Sequence, residues 1–206
     1  MSLTWLQSRR TSAALTLAVF LALGAVQLWY QSRDVEIALK IGEPWEDMRQ
    51  RSSANIDPAI AGINWGRQTD SDARLRFMDI QYGFVTPQAR FFTISFDAKG
   101  MVGNVRMSPQ IEPLLLDDTL KIVLDLQEQW RNAGWHPILT GTFPSFADTP
   151  QWRARLRDVN KGGTAYWPAG DKYQVMLVAN RFRDDKRPTE ERYLITLELA
   201  HAWRKP

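Results

Sequence analysis

Arg90-Phe91-Phe92-Thr93-Ile94-Ser95-Phe96-Asp97-Ala98-Lys99-Gly100-Met101-Val102-Gly103-Asn104-Val105-Arg106-Met107 is the stretch on which the reading of the fold turns. Phe92, Ile94 and Phe96 recur at every second position, the period of a half-buried strand. Asp97-Ala98-Lys99-Gly100 is a hairpin signal, and residues 101–107 read as its returning strand. Upstream, Leu75 and Phe77 alternate, then Ile80, Tyr82 and Phe84 alternate on the opposite parity. That switch predicts a bulge near Met78 and Asp79, and Val85-Thr86-Pro87-Gln88 reads as a turn. Before the strands, Pro44 suits the first turn of a helix in which Trp45, Met48 and Ser52 share one side, reaching about Ala54. Residues 55–72, with Pro58, Gly62 and Gly66, read as loop. The first half is thus a helix followed by a three-stranded meander.

The second half follows the same plan. Asp117 or Asp118 can cap a helix carrying Ile122, Leu126 and Trp130 at i, i+4, i+8, and Asn132-Ala133-Gly134 stops it. A second helical piece over 149–158 has Pro150 at its first turn, with Trp152 and Leu156 four apart. Three strands follow, at 164–167, 173–182 and 192–203. The predicted class is α+β: one N-terminal transmembrane helix, then two helix-plus-antiparallel-meander units, or one continuous sheet with helices on one face. The expected units are a cytoplasmic tip (1–10), the membrane helix (11–30), a stalk (31–41), a first α/β unit (42–110) and a second (111–206).

The glycine-led segment 42–51, followed by a meander containing Phe96-Asp97-Ala98-Lys99-Gly100-Met101-Val102, resembles the small envelope α/β module of the beta-lactamase inhibitor proteins and of the small lipoproteins of outer-membrane assembly. The resemblance covers residues 41–107, with a blurred second copy after them. It implies a non-catalytic, protein-binding module. The chain departs from both families, having neither the lipidated cysteine of the lipoproteins nor the disulfides of the inhibitors.

The transmembrane expectation rests on residues 11–30, an uncharged run of Ala, Leu, Val and Phe. As a helix it rises about 30 Å, the thickness of a hydrocarbon core. Arg9 and Arg10 precede it, which places the N-terminus in the cytoplasm of a bacterial inner membrane and the remainder in the periplasm. Trp29 and Tyr30 fall where an aromatic belt sits. A cleavable signal peptide, cut at Ala22-Leu23-Gly24, is the alternative.

The chain has no cysteine, so disulfides, thiol nucleophiles and Cys-ligated zinc are excluded together. Its 26 Lys plus Arg against 23 Asp plus Glu leave a net charge of +3, too evenly mixed for a nucleic-acid footprint. No Gly-x-Ser-x-Gly, Ser-x-x-Lys or phosphate-binding glycine loop occurs. Two histidines, His136 and His201, lack spaced partners for a metal site. Asp70-Ser71-Asp72 and Asp184-Asp185 lack the glycine and closing glutamate of a calcium loop, and read as solvated turns. No cofactor, metal or catalytic residue is expected.

Binding residues are more promising. In Trp152-Arg153-Ala154-Arg155-Leu156-Arg157, Arg153 and Arg157 share a helix face, fitting an acidic partner or a solvated basic edge. Tyr166-Trp167-Pro168 cannot all face one core, which makes one ring a candidate interface anchor. Arg183, Asp184 and Asp185 belong to a charged hairpin, 181–191, able to steer a partner or simply to stay in solvent. Nine tryptophans in 206 residues point the same way. Together these predict a module that binds another envelope or secreted protein, in its sharpest form an immunity or inhibitor protein for an effector enzyme. The alternative is a non-catalytic scaffold of an envelope-biogenesis or secretion machine.

Overall fold

The computed structural model describes residues 35–60 and 72–202. The elements run β1 (Glu36–Leu39), α1 (Trp45–Arg51), β2 (Ala73–Phe77), β3 (Phe84–Ala89), β4 (Phe91–Phe96), β5 (Val102–Ser108), α2 (Leu116–Asn132), α3 (Pro150–Arg157), β6 (Gly163–Ala169), β7 (Tyr173–Phe182) and β8 (Arg192–His201). They form two sheets. One has the order β1-β2-β3, with β1 parallel to β2, and the other, fully antiparallel, has the order β4-β5-β8-β7-β6. Only Arg90 separates β3 from β4, so a single run of chain passes from one sheet into the other.

Several expectations need correcting. No helix among the described residues is long and apolar enough to cross a membrane, which overturns the expected architecture and the inner-membrane, single-pass localisation. Residues 11–30, with Arg9, Arg10, Trp29 and Tyr30, lie outside the described residues. The expected stalk contains β1, whose Ile37 and Leu39 are fully buried. Its free edge is covered by side chains: Ala38 N–H donates to Ser52 Oγ (3.0 Å) and Glu36 N–H to Ser53 Oγ (2.9 Å). That satisfies an edge that would otherwise present open backbone groups. The two expected units are not separate sheets either, because β5 of the first half pairs with β8 of the second.

The expected turn at 85–88 is part of β3. Pro87 is tolerated there because β3 is an edge strand and bulged: the β2 partners jump from Gln88 opposite Arg74 to Val85 opposite Arg76. Thr86 Oγ1 accepts the Leu75 N–H at 3.0 Å. Of the predicted strand over 80–84, residues 80–82 are instead a turn, discussed below, and Phe84 opens β3.

The two longer helices, α2 and α3, cover one face of the five-stranded sheet, while α1 packs on β1. Val123, Leu126 and Trp130 of α2 are fully buried, as are Val175, Leu177, Ile195, Leu197 and Leu199 of β7 and β8. Trp130 packs against Trp167 of β6 with ring centroids 5.7 Å apart and against Phe84 of β3 at 5.7 Å, so α2 joins both sheets into one core. Leu115, not Asp117 or Asp118, occupies the α2 N-cap, with no side-chain cap. Gly134, at φ +87°, ends the helix as its sequence predicts. The α3 helix starts on Thr149, whose Oγ1 accepts the Trp152 N–H at 3.2 Å. Phe146 and Trp152 pack at a tilt with ring centroids 4.9 Å apart over Gly163, where a Cβ would lie 2.5 Å from the Phe146 ring; only glycine fits.

Candidate functional site

Two of the sequence-predicted patches meet at one end of the molecule. The C-terminus of α3 and the β7–β8 hairpin are tied by Arg157 to Glu191 (3.4 Å) and by Arg181, which donates to the Arg157 carbonyl (3.0 Å). Arg153 is engaged within the chain, forming a fork with Asp148 (2.5 and 3.0 Å) and reaching Asp117 at 2.6 Å. Those hydrogen bonds raise its pKa and lower that of Asp148. Arg153 therefore stabilises the start of α3 and is already neutralised.

Within the hairpin, Asp184 is buried: it accepts the Lys186 N–H (3.0 Å) and pairs with Arg187 (3.4 Å), which also reaches Glu112 at 2.5 Å. It shapes the turn. Arg183 and Asp185 face each other at 3.8 Å, both well exposed and open to a partner, as are Phe182 and Lys186 beside them. Trp152 is half-buried on Phe146, with Arg155 over its ring at 5.3 Å.

Tyr166 and Trp167 separate by strand parity. Trp167 is fully buried, which removes it as an interface anchor; Tyr166, on the opposite face, is half-buried with Phe143 edge-on at 5.1 Å. The tryptophan excess is likewise structural among the described residues. Trp45, Trp130, Trp135 and Trp167 are core, and Trp152 packs against it.

Sequence reasoning missed the outer face of the five-stranded sheet as a surface. The registers align Thr93, Arg106, Glu198, Met176 and Tyr166 in one row across all five strands, and Ser95, Asn104, Ala200, Gln174 and Pro168 in the next. Four strand spacings make each row about 19 Å wide. Val178, Thr196 and Leu194 extend the same face. Uncharged polar groups, a methionine and a tyrosine dominate it, and it holds no lysine. Arg106 is exposed and makes no ion pair among the described residues. The alternation was visible in the strands; what it borders required the pairing order.

Chemistry at the histidines is sparse. His201 stacks on Tyr173 (centroids 6.4 Å, 24° between planes) and borders a cavity of about 30 Å³ with Glu198. Tyr173 donates its hydroxyl to Asp79 at 3.1 Å, and burial together with that carboxylate raises its pKa. Neither histidine is hydrogen-bonded or ion-paired to an acid among the described residues, and no group of three or more His, Asp or Glu there could hold a metal ion. Asp72 of the acidic loop forks onto Arg90 (3.0 and 3.1 Å), while Asp70 lies outside the described residues. Comparison with protein-family models, with curated proteins and with solved structures finds no match for this chain.

Proposed function

We propose that this chain is a non-catalytic protein-binding module whose docking surface is the outer face of the five-stranded sheet, and that it acts as an immunity or inhibitor protein by occluding an effector enzyme. The observation that carries the reading is the composition of that face. Five adjacent strands present Thr93, Ser95, Asn104, Met176, Thr196 and Tyr166, with Arg106 and Glu198 opposite each other as the charged pair of positions in the row, and no helix among the described residues packs on them. Interface cores are depleted in Lys, Glu and Asp and enriched in aromatics, Met and Arg. Uncharged hydroxyl and amide side chains add adaptable hydrogen bonding, as in antibody-type paratopes. The open Arg183–Asp185 pair on the neighbouring hairpin adds charge suited to steering an encounter. The resemblance of residues 41–107 to inhibitor-type modules points the same way.

The test places a photo-crosslinking amino acid at Met176 or Thr196, with Asp118 on the exposed side of α2 as control, in cells that express the full chain. A discrete protein adduct is expected from the sheet positions and none from position 118. Equal labelling at all three positions sinks the reading of the surface. If the partner is captured but its catalytic rate is unchanged at saturating chain, a scaffold replaces the inhibitor.

A further inference from the structure

Core packing accounts for the burial of the tryptophans but not for the order in which their rings meet. From Trp167 the ring centroids run to Trp130 (5.7 Å), Trp135 (6.4 Å), Tyr82 (5.8 Å) and Tyr173 (6.3 Å), which stacks on the exposed His201. Indoles and phenols are among the side chains most easily oxidised by one electron, so the row leads from a fully buried donor to a half-buried one. Phe77 and Phe84 touch the same rings but are too hard to oxidise to carry a charge.

The two ends of the row differ in charge. The Arg131 guanidinium lies over the Trp167 ring at 5.6 Å and repels a positive hole there. At the other end the Tyr173 hydroxyl donates to the Asp79 carboxylate at 3.1 Å. The turn over 78–83 fixes that carboxylate, which also accepts the N–H groups of Gln81 (2.9 Å) and Tyr82 (2.8 Å). Proton acceptors are distributed in the same sense. Nε1 of Trp130 and of Trp167 is buried with no hydrogen-bond partner among the described residues, an arrangement that calls for an explanation. Trp135 Nε1 meets the Tyr82 carbonyl, a weak base, at 3.1 Å. An oxidised indole in this row therefore keeps its proton and remains a strongly oxidising radical cation. The Tyr82 hydroxyl has no acceptor among the described residues, and the Lys172 ammonium over its ring at 5.9 Å opposes a positive charge there. Within the row, Tyr173 is the ring that can release an electron and a proton together.

We propose that this row conducts oxidising equivalents out of the core, with Tyr173 as its terminus. A one-electron oxidising radical takes an electron from Trp167 and leaves an indole radical cation. Electrons then pass inward ring by ring, from Trp130, Trp135, Tyr82 and last Tyr173, whose phenolic proton moves to Asp79 as its electron leaves. The indoles end neutral and intact, with a tyrosyl radical beside a protonated Asp79. A soluble hydrogen-atom donor such as ascorbate restores the phenol, and Asp79 returns its proton to water.

The chain contains no cysteine, so His136→Cys, exposed beside the β6 strand that carries Trp167, takes a ruthenium photo-oxidant at one site. Tyr166→Phe in the same full-length chain removes the phenol of that strand. After a flash with an electron acceptor present, electron paramagnetic resonance is expected to show a tyrosyl radical. Adding Y173F should abolish it. D79N, which can still accept the N–H groups of the turn, should leave the radical on indole, as should W130F, which keeps a ring in the core but interrupts the row. Y193F, outside the row, should change nothing. A radical that stays on indole in the parent protein overturns the proposal, and so does a tyrosyl signal undiminished by Y173F. Because Y173F keeps its ring, it decides the question even if W130F does not fold.

Discussion

The two faces of the five-stranded sheet are cut from alternate residues of the same strands, yet they differ in almost every physical respect. In β7 and β8 the odd-numbered residues Val175, Leu177, Ile195, Leu197 and Leu199 lie under α2 with no exposure. The even-numbered Met176, Val178, Thr196 and Glu198 are half-buried and meet no helix among the described residues. Burial on the inner face is the main source of stability, since each fully buried aliphatic side chain is worth about 1.5–3 kcal/mol. The outer face contributes little of this, so its composition is free to serve another purpose. The contrast separates the residues that make the fold from those that carry the proposed function.

The sharpest way to break that separation is Trp167→Ala, which opens a large cavity beside Trp130. It should cost about 3–5 kcal/mol in a denaturant titration. A loss under about 1 kcal/mol would show that the inner face is not the core. Next in size is Gln127→Ala. Gln127 is buried and bonds the Phe146 backbone through both amide atoms (2.8 and 2.9 Å), so its removal strands a buried N–H and carbonyl, at about 1–3 kcal/mol.

Thr149→Ala should remove about 1 kcal/mol by uncapping α3, visible as a lower denaturant midpoint. Smaller again is the acid limb. Hydrogen bonding from Arg76, opposed by burial and assisted by Arg74, holds the Glu36 carboxyl below its usual range. A depressed folded pKa contributes stability that is complete above the unfolded value of about 4.3 and is lost as pH falls through the folded value. Glu36→Gln should therefore flatten the stability profile below about pH 4.3, and an unchanged slope there would discount this pairing.

The smallest stability effect belongs to the outer face. Thr196→Lys should shift stability by no more than about 0.5 kcal/mol while abolishing the photo-adduct from Met176. A large loss of stability would mean that this face is structural after all.

Much of the second half was legible because its signals are local. Pro150 after Thr149, Gly134 after Trp130, and the alternation of 173–182 each act within a few residues. Three features were not legible. β1 is too short to show a period, and its Ile37-Ala38-Leu39 run is buried throughout because Ser52 and Ser53 close its edge from 14 or more residues away. Pro87 reads as a turn until β3 is known to be an edge strand. Asp117 and Asp118 resemble caps, but Asp117 is occupied by Arg153, 36 residues later.

The same limits apply to the candidate surfaces. Local pattern placed Tyr166 and Trp167 on opposite sides of a strand, but only the position of α2 decided which ring is buried. Sequence by itself determined the α+β class, the two longer helices, the long final strands and the absence of cysteine chemistry, because each depends on residue type or short-range periodicity. Tertiary structure alone decided that the halves interleave, that α2 leaves one sheet face uncovered, and that the rings of Trp167, Trp130, Trp135, Tyr82 and Tyr173 stand in one row. Those outcomes depend on strand order and long-range contact, and neither is encoded in any short window of the chain.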